Sequence, residues 1–317
     1  MKRLLLIRLL RLIGTLLAVT VLTFLLVDFL PGDPAIAVLG QDNIQNIELL
    51  EKVRADLGLD KPLHIRYLSW LGDALTGDLG TSFKTDQPIS DIIKDRLPVT
   101  AQLAFMAIAM AVAGAVPIGV IGAYRQGKWQ DTSTSGLVQV ALSVPNFITG
   151  IFLIWLLSVK LQWLPASNWS RISDKGLIEN LKTSIMPASA LALTQLAIFS
   201  RLVRSDMIAT LREDFILSAR AKGLSDWYVL FRHALRPSSL SLVTIVGINF
   251  GALLGGTVII ETLFAIPGLG FRLISAINQL DIIVIQGITV FIAVTYVLIN
   301  TLVDLFYTVL DPRIRRS

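Results

Sequence analysis

The residues of this chain that could carry chemistry are concentrated in one basic stretch, ARAKGLSDWYVLFRHALRP, at positions 219–237. Its ionisable side chains are Arg220, Lys222, Asp226, Arg232, His233 and Arg236. No recognisable nucleophile motif or metal-ligand pair accompanies them. Cations at this density favour binding, either to an anionic membrane surface or to a groove on a partner protein.

Other kinds of site are excluded by residue type. The chain has no cysteine, which removes disulfides, thiolate metal sites and a cysteine nucleophile. Two histidines, His64 and His233, are too few for a histidine-based zinc site. Residues 122–129 match a phosphate-binding loop only as far as Lys128, since Trp129 stands where a magnesium-binding Ser or Thr is required. We therefore predict no catalytic residue, metal or cofactor in this chain, and no nucleic-acid partner.

The elements that must position the basic stretch are membrane helices. Of the 317 residues, 54% are hydrophobic and 16% are charged, whereas soluble domains carry about 25% charged residues. A bilayer core about 30 Å thick needs roughly 20 apolar residues in a helix. Six stretches qualify, which predicts an all-α polytopic membrane protein with six transmembrane helices: Leu12–Leu30, Ala101–Ala123, Leu137–Ser158, Ile185–Ser200, Leu242–Ile260 and Ile282–Val303.

Two of these stretches are less regular than the rest. The first could be a cleaved signal peptide, because basic residues precede it and residues 35–37 resemble a cleavage site; its length favours a retained helix. The fourth has only sixteen residues and would lengthen if Arg201 and Arg204 extend to the membrane surface. We expect bends at the prolines within the stretches, Pro117, Pro145 and Pro187.

Charge asymmetry orients the spans. With six spans, segments 1–11, 124–136, 201–240 and 304–317 lie on one side, and their density of Lys and Arg is about twice that of the other side. The positive-inside rule therefore predicts that both termini are cytoplasmic. The basic stretch then falls in the longest cytoplasmic segment, 201–240.

The large outer segment, residues 31–99, is predicted to be partly helical. Apolar residues recur there at helical spacing and a glycine follows as a C-terminal cap: Ile44, Ile47, Leu50, Val53 and Gly58. His64 is expected to be an ordinary surface residue. We divide the chain into an N-terminal helix and outer segment (1–97), a transmembrane domain (98–309) and a cytoplasmic tail (310–317).

Within the spans, glycines rather than charges stand out. Gly247, Gly251 and Gly255 follow one another at four-residue intervals, which brings them to one helix face that another helix can approach closely. Helix packing and a lining of the transport path are both compatible with this face. Formal charges lie only at span ends, so a self-sufficient secondary transporter or channel is a weaker hypothesis, and a membrane scaffold weaker still.

The basic stretch itself divides at Gly223. A helical pattern precedes this glycine, and an apolar stripe at helical spacing follows it: Leu224, Trp227, Tyr228 and Phe231. A helix of this kind could lie on the anionic inner leaflet. The aromatic stripe beside a glycine is equally suited to insertion into a groove on a cytoplasmic partner.

A family resemblance favours the second interpretation. DFILSARAKGL at 214–224, followed by HALRP at 233–237, resembles the coupling loop of bacterial ABC importer permeases of the dipeptide, oligopeptide and nickel group. In that family the loop docks in a cleft of the ATP-hydrolysing subunit. The resemblance assigns this role to a set of residues here: Ala219, Arg220, Lys222, Gly223, Leu224, Trp227, Tyr228, Phe231 and His233. The family-wide loop begins Glu-Ala-Ala, where this chain has Leu217-Ser218-Ala219.

The resemblance extends over nearly the whole chain. FLPGDPA at 29–35, LGLDKPLHIRYLSWLGDALTGDLGTSF at 57–83, ETLFAIPGLG at 261–270 and LVDLFYTVLDPRIR at 302–315 are similar to the group's first permease subunit. It implies a type I ABC importer permease fold in the bacterial inner membrane. The implied partners are a second, related permease in a heterodimer, two cytoplasmic ATPases and an external substrate-binding protein.

Two further expectations concern the outer side and the substrate. Pro267, Gly268 and Gly270 should reverse the chain after Glu261. This segment either caps the bundle as a tight loop, or it helps close an outer gate or contacts the binding protein. For the substrate, the resemblance favours di- or oligopeptides, with nickel as the alternative.

Overall fold

The structure is a computed structural model that describes residues 2–28, 35–36, 47–56 and 59–310. These residues are almost entirely helical, and the only β-pairing described is one isolated bridge between Thr81 and Pro88. We number the helices α1 Lys2–Asp28, α2 Ile47–Asp56, α3 Leu63–Leu75, α4 Ile89–Tyr124, α5 Trp129–Ser143, α6 Asn146–Lys160, α7 Ile172–Thr210, α8 Asp214–Ala221, α9 Asp226–Gly256, α10 Val258–Leu263, α11 Leu269–Asn278 and α12 Ile282–Leu310.

Four helices are long and apolar enough to cross a membrane, namely α4, α7, α9 and α12. The pair α5 and α6 makes a fifth crossing if it is counted as one broken span. In α1, the fully described apolar part runs over Leu9–Leu25. It is shorter than the four helices named above. The all-α membrane architecture is confirmed, while the count of six spans stays a prediction.

The third predicted span, Leu137–Ser158, is not a continuous helix. Helices α5 and α6 meet at an angle of 96°. Val144 has an extended backbone and Pro145 precedes the first residue of α6, because proline disfavours a helical residue before it and offers no N–H to continue the helix. Helices α4 and α7 continue through Pro117 and Pro187, and α7 departs from helical geometry at Gly176 instead.

The chain divides into two compact units. The first comprises residues 1–100 and 267–298. Its core is an aliphatic cluster formed by Ile89, Ile92, Ile93, Leu269, Ala276, Val284, Ile285 and Ile288. In the outer segment, α2 confirms the helix predicted from its apolar spacing, and α3 follows it with His64 exposed. Gly58 and Ala37 lie outside the described residues.

Buried polar contacts stabilise the first unit. Arg272 lies 3.5 Å from Asp281, which is fully buried and also accepts a hydrogen bond from the Ser82 hydroxyl. At α3, the Tyr67 ring packs edge-on against Phe24 of α1, with 5.5 Å between centroids. These contacts fix the loop before α4 and the packing of α3 on α1.

The second unit comprises residues 101–266 and 299–317, of which 311–317 lie outside the described residues. Helices α4 and α7 approach closely in this unit. A Cβ added to Gly119 of α4 would lie only 2.7 Å from the side chain of Val203 of α7. Ala107, Ala111 and Ala115 of α4 are fully buried. Small residues at this spacing allow membrane helices to pack without intervening side chains. The boundaries of the three predicted segments stay predictions.

Candidate functional site

The basic stretch lies between two long helices, and its irregular parts are much shorter than expected. We predicted a 40-residue loop over 201–240, but α7 continues to Thr210 and α9 begins at Asp226. Only residues 211–213 and 222–225 are non-helical. Charged residues end an apolar pattern without ending the backbone hydrogen bonding of a helix, so both helices extend beyond the predicted spans, α7 past Ser200 and α9 before Leu242.

Gly223, at which the sequence pattern divides the basic stretch, follows the end of α8. Its φ is +77°, in the left-handed region that glycine enters at little cost. The Gly223 N–H donates to the Arg220 carbonyl at 2.9 Å, and the Leu224 N–H donates to the Ala219 carbonyl at 3.4 Å. This pair of bonds is a Schellman motif, which satisfies the last carbonyls of the helix.

Helix α8 has one buried face. Ile216 and Ala219 are buried and α8 packs against the first turns of α9, where Val229 and Leu230 are buried too. A π-helical segment, Val229–Ala234, occupies this part of α9. The predicted helix after Gly223 is therefore the beginning of a long membrane helix, not a separate surface helix.

The predicted aromatic stripe is largely exposed. Trp227 is 71% exposed, Tyr228 and Leu224 are also exposed, and Phe231 is half-buried. The Trp227 and Phe231 rings lie 4.3 Å apart, and His233 packs edge-on against Tyr228 at 5.4 Å. The stripe thus contains two ring pairs, Trp227–Phe231 and Tyr228–His233, and much of its outer surface is uncovered in this chain.

Contacts to neighbouring helices hold the start of α9 in place. The Tyr124 hydroxyl at the end of α4 donates to Asp226 at 2.9 Å, and the Arg220 guanidinium lies 3.9 Å from the same carboxylate. The Ser238 hydroxyl donates to Thr210 at the end of α7. The stretch is therefore positioned by the ends of two other membrane helices.

The sequence reasoning missed one ion pair in this region, between Asp131 and Arg204. Asp131, which is buried, accepts two hydrogen bonds from Arg204, at 2.6 and 2.8 Å, and a third from the Gly127 N–H at 3.0 Å. Arg204 thus forms a bidentate ion pair, which is stronger and more specific than a single contact. A signal was available, since Asp131 is the only acid in segment 124–136 and Arg204 is the second cation of segment 201–240.

The glycine ladder of α9 takes part in helix packing at one position. A Cβ added to Gly247 would lie 2.5 Å from Val303, so α9 and α12 are in close contact there. Gly251 is buried, and Gly255 lies one turn further along the helix. Packing accounts for Gly247, whereas a role of the ladder in the transport path stays a prediction.

The outer turn differs in detail from its prediction. We expected Pro267, Gly268 and Gly270 to reverse the chain, but the left-handed residue is Ala265, with a φ of +51°. The Ile266 N–H donates to the Glu261 carbonyl at 2.8 Å and the Ala265 N–H to Thr262 at 3.3 Å, a second Schellman motif. Gly268 and Gly270 are buried, and Gly268 has extended backbone at the start of α11.

Glu261 is fully buried. Its carboxylate accepts a hydrogen bond from the Thr257 hydroxyl at 2.8 Å. A direct contact with a binding protein would require this side chain to be uncovered, and this contact stays a prediction. The predicted gate role does not need an exposed carboxylate.

Comparisons with known proteins agree with this architecture. A family model described as "Binding-protein-dependent transport system inner membrane component" matches residues 115–316, and a model of the N-terminal part of such components matches residues 1–104. A putative peptide transport system permease protein of Brucella abortus (strain 2308) is 41% identical over 99% of both chains. A dipeptide transport system permease protein of Alkalihalophilus pseudofirmus is 36% identical over 97% of this chain and 98% of its own.

A solved structure shows the same fold. A chain of the MetNI methionine ABC transporter, in an inward-facing conformation, superposes with a TM-score of 0.56. It covers 69% of this chain and 96% of its own length at 15% identity. At this identity the likeness establishes an ABC importer permease fold and no shared substrate.

Proposed function

This chain belongs to the family of binding-protein-dependent transport system inner membrane components, and from that membership we propose that it is the permease subunit of an importer for di- or oligopeptides. The chain is an integral membrane protein whose fold matches that of an ABC importer permease. Full-length relatives with peptide or dipeptide permease names favour peptides over nickel. The observation that carries the proposal is the family match over both halves of the chain.

The proposed assembly contains several partners. We place this chain in a heterodimer with a second, related permease in the bacterial inner membrane, with both termini cytoplasmic. Two cytoplasmic ATPases hydrolyse ATP, and an external binding protein delivers the peptide. This chain then contributes half of the pathway, without catalysis and without a cofactor of its own.

The proposed contact with an ATPase is the basic stretch. The Schellman turn at Gly223 projects a cluster whose outer surface is uncovered, formed by Leu224, Trp227, Tyr228 and Phe231. Exposed aromatic side chains that enter a pocket supply a large share of the binding energy at protein interfaces. The ends of α4 and α7 would receive the movement of this cluster through Tyr124 and Thr210.

Reconstituted transport tests the proposal. Co-expressed permeases and ATPases in proteoliposomes should take up radiolabelled dipeptide only with ATP inside and loaded binding protein outside. Uptake without ATP, or uptake of Ni²⁺ in place of peptides, would contradict it. Reporter fusions test the orientation, because a fusion after residue 90 should be external and one after residue 225 cytoplasmic.

A further inference from the structure

A cationic groove lies beside the basic stretch. It has a volume of about 450 Å³ and is bounded by the turn after α4, the end of α7 and helix α8. Four of its lining residues are cations, Arg125, Lys128, Arg212 and Arg220, and one is an acid, Asp226. Sites for small ligands have volumes of about 300–1,000 Å³, so the groove is of suitable size.

The acid of the groove pairs with only one of these four cations, Arg220. The Asp226 carboxylate already accepts a hydrogen bond from Tyr124 at 2.9 Å and lies 3.9 Å from the Arg220 guanidinium. Arg125 stacks over the Tyr124 ring at 5.3 Å. Among the described residues, no carboxylate forms an ion pair with Arg125, Lys128 or Arg212. The groove therefore carries an uncompensated positive charge, which a cleft concentrates.

The turn that carries two of the cations is held by a buried ion pair. Gly127 adopts a φ of +77°, and its N–H donates to Asp131, which is paired with Arg204. This anchor fixes the backbone between Arg125 and Lys128. Since the Gly127 N–H is already bonded, side chains rather than backbone amides face an incoming anion.

We propose that this groove binds a single phosphate group, supplied either by the headgroup of an anionic phospholipid or by free inorganic phosphate. Arginine and lysine are the residues that bind phosphate oxygens through charge-assisted hydrogen bonds, and basic pockets between membrane helices accept anionic headgroups. Two cations follow α4, Arg212 precedes α8, and Arg220 lies in the last turn of α8. The bound phosphate thus ties α8 to the end of α4.

A single introduced thiol measures this binding. The chain has no cysteine, so Gln126→Cys, which lies in the groove, gives one site for maleimide labelling. The purified full chain is labelled with maleimide in the presence of soluble dihexanoyl phosphatidylglycerol, of its phosphatidylcholine analogue or of inorganic phosphate. Slower labelling with phosphatidylglycerol and not with phosphatidylcholine identifies a lipid headgroup. Protection by inorganic phosphate alone identifies the free ion. Either result supports the proposal.

Charge variants in the same background show whether the groove is responsible. Arg125→Gln with Lys128→Gln removes two charge-assisted bonds and should weaken protection by about tenfold or more. Arg125→Lys with Lys128→Arg keeps the charge and should retain protection, which controls for folding. Arg236→Gln removes an exposed cation outside the groove and should change nothing. Equal protection in the double Gln variant, no protection by either probe, or protection only when an ATPase subunit is added would overturn the proposal.

Discussion

Two turns in the second unit have the same hydrogen bonds but depend on different kinds of support. At the end of α8, Gly223 occupies the left-handed position, and a Cβ added there would meet no atom within 4 Å. At the end of α10, Ala265 occupies the equivalent position between Phe264 and Ile266, both fully or nearly fully buried. Ala265 itself is exposed, but its two chain neighbours are buried, whereas those of Gly223 are exposed. We call the first turn open and the second enclosed in this sense.

This difference shows what fixes a strained backbone position. A left-handed conformation costs about 1–3 kcal/mol for a residue other than glycine and persists only when the surrounding structure imposes it. Around Ala265 the buried side chains and the bond from Ile266 to Glu261 supply that constraint. Around Gly223 the equivalent bond, from Leu224 to Ala219, is longer at 3.4 Å, and the neighbours Lys222 and Leu224 are exposed. The conformation of this turn therefore depends more on the residue type itself.

The largest effect on stability is expected at the open turn. Gly223→Val places a β-branched residue at a φ of +77° and should destabilise the chain by about 1–3 kcal/mol. The turn then relaxes and displaces the aromatic cluster, so peptide uptake should be lost while the permease still inserts in the membrane. Chemical unfolding in detergent and proteoliposome uptake measure the two quantities.

A second open turn provides the matched control. Gly77 ends α3 with a φ of +92° and also has no atom within 4 Å of an added Cβ. Gly77→Val should show a similar loss of stability and keep ATP-dependent uptake. Equal loss of uptake in both variants would mean that strain, and not the position of the cluster, explains the Gly223 result.

The next effect tests the support of the enclosed turn. Thr257→Val keeps the shape of the side chain but removes a hydrogen bond to the buried Glu261 carboxylate. Loss of a bond to a buried charged group should cost about 2 kcal/mol. Thr262→Val, on the same helix, removes an exposed hydroxyl that bonds only to Val258 and should change stability by less than about 0.5 kcal/mol. If the two variants unfold with similar free energies, the hydrogen bond from Thr257 to the Glu261 carboxylate does not support the enclosed turn.

The same two turns indicate how far the sequence predicts this molecule. Gly223 was identified because a glycine between two helical patterns is typical of a helix C-terminus. Ala265 was missed, and the reversal was assigned to Pro267 and Gly268, because an alanine gives no local sign of a left-handed backbone. Its conformation depends on the packing of Phe264 and Ile266, which a sequence pattern does not contain.

The membrane helices show a similar division. Apolar length correctly located α4, α9 and α12, since burial in lipid is a property of composition. The 96° break at Pro145 was predicted as a bend but not in its size. The ion pair between Asp131 and Arg204 joins residues 73 positions apart, and only the packed structure brings them together.

A smaller change is expected when the enclosed turn receives the residue of the open one. Ala265→Gly removes the strain at a φ of +51° but gives the unfolded chain more freedom, so the two contributions partly cancel. The net effect should be a gain of between about 0 and 1 kcal/mol. Ala252→Gly, at an exposed position inside α9, should lose about 1 kcal/mol instead. A loss at Ala265 as large as that at Ala252 would show that the enclosed turn is unstrained.

The smallest effect on stability is expected for the side chain with the largest proposed effect on docking. Trp227 is 71% exposed, so Trp227→Ala should change the free energy of unfolding by less than about 1 kcal/mol. An aromatic anchor in an interface pocket is worth about 2 kcal/mol or more, and affinity for the ATPase should therefore fall at least about tenfold. Trp163 has the same exposure in the segment between α6 and α7, so Trp163→Ala matches the change in chemistry. Pull-down of the ATPase with each variant, together with ATPase stimulation by loaded binding protein, makes the comparison. If Trp163→Ala weakens binding of the ATPase as much as Trp227→Ala does, or if neither variant weakens it, the exposed cluster after Gly223 is not the docking surface.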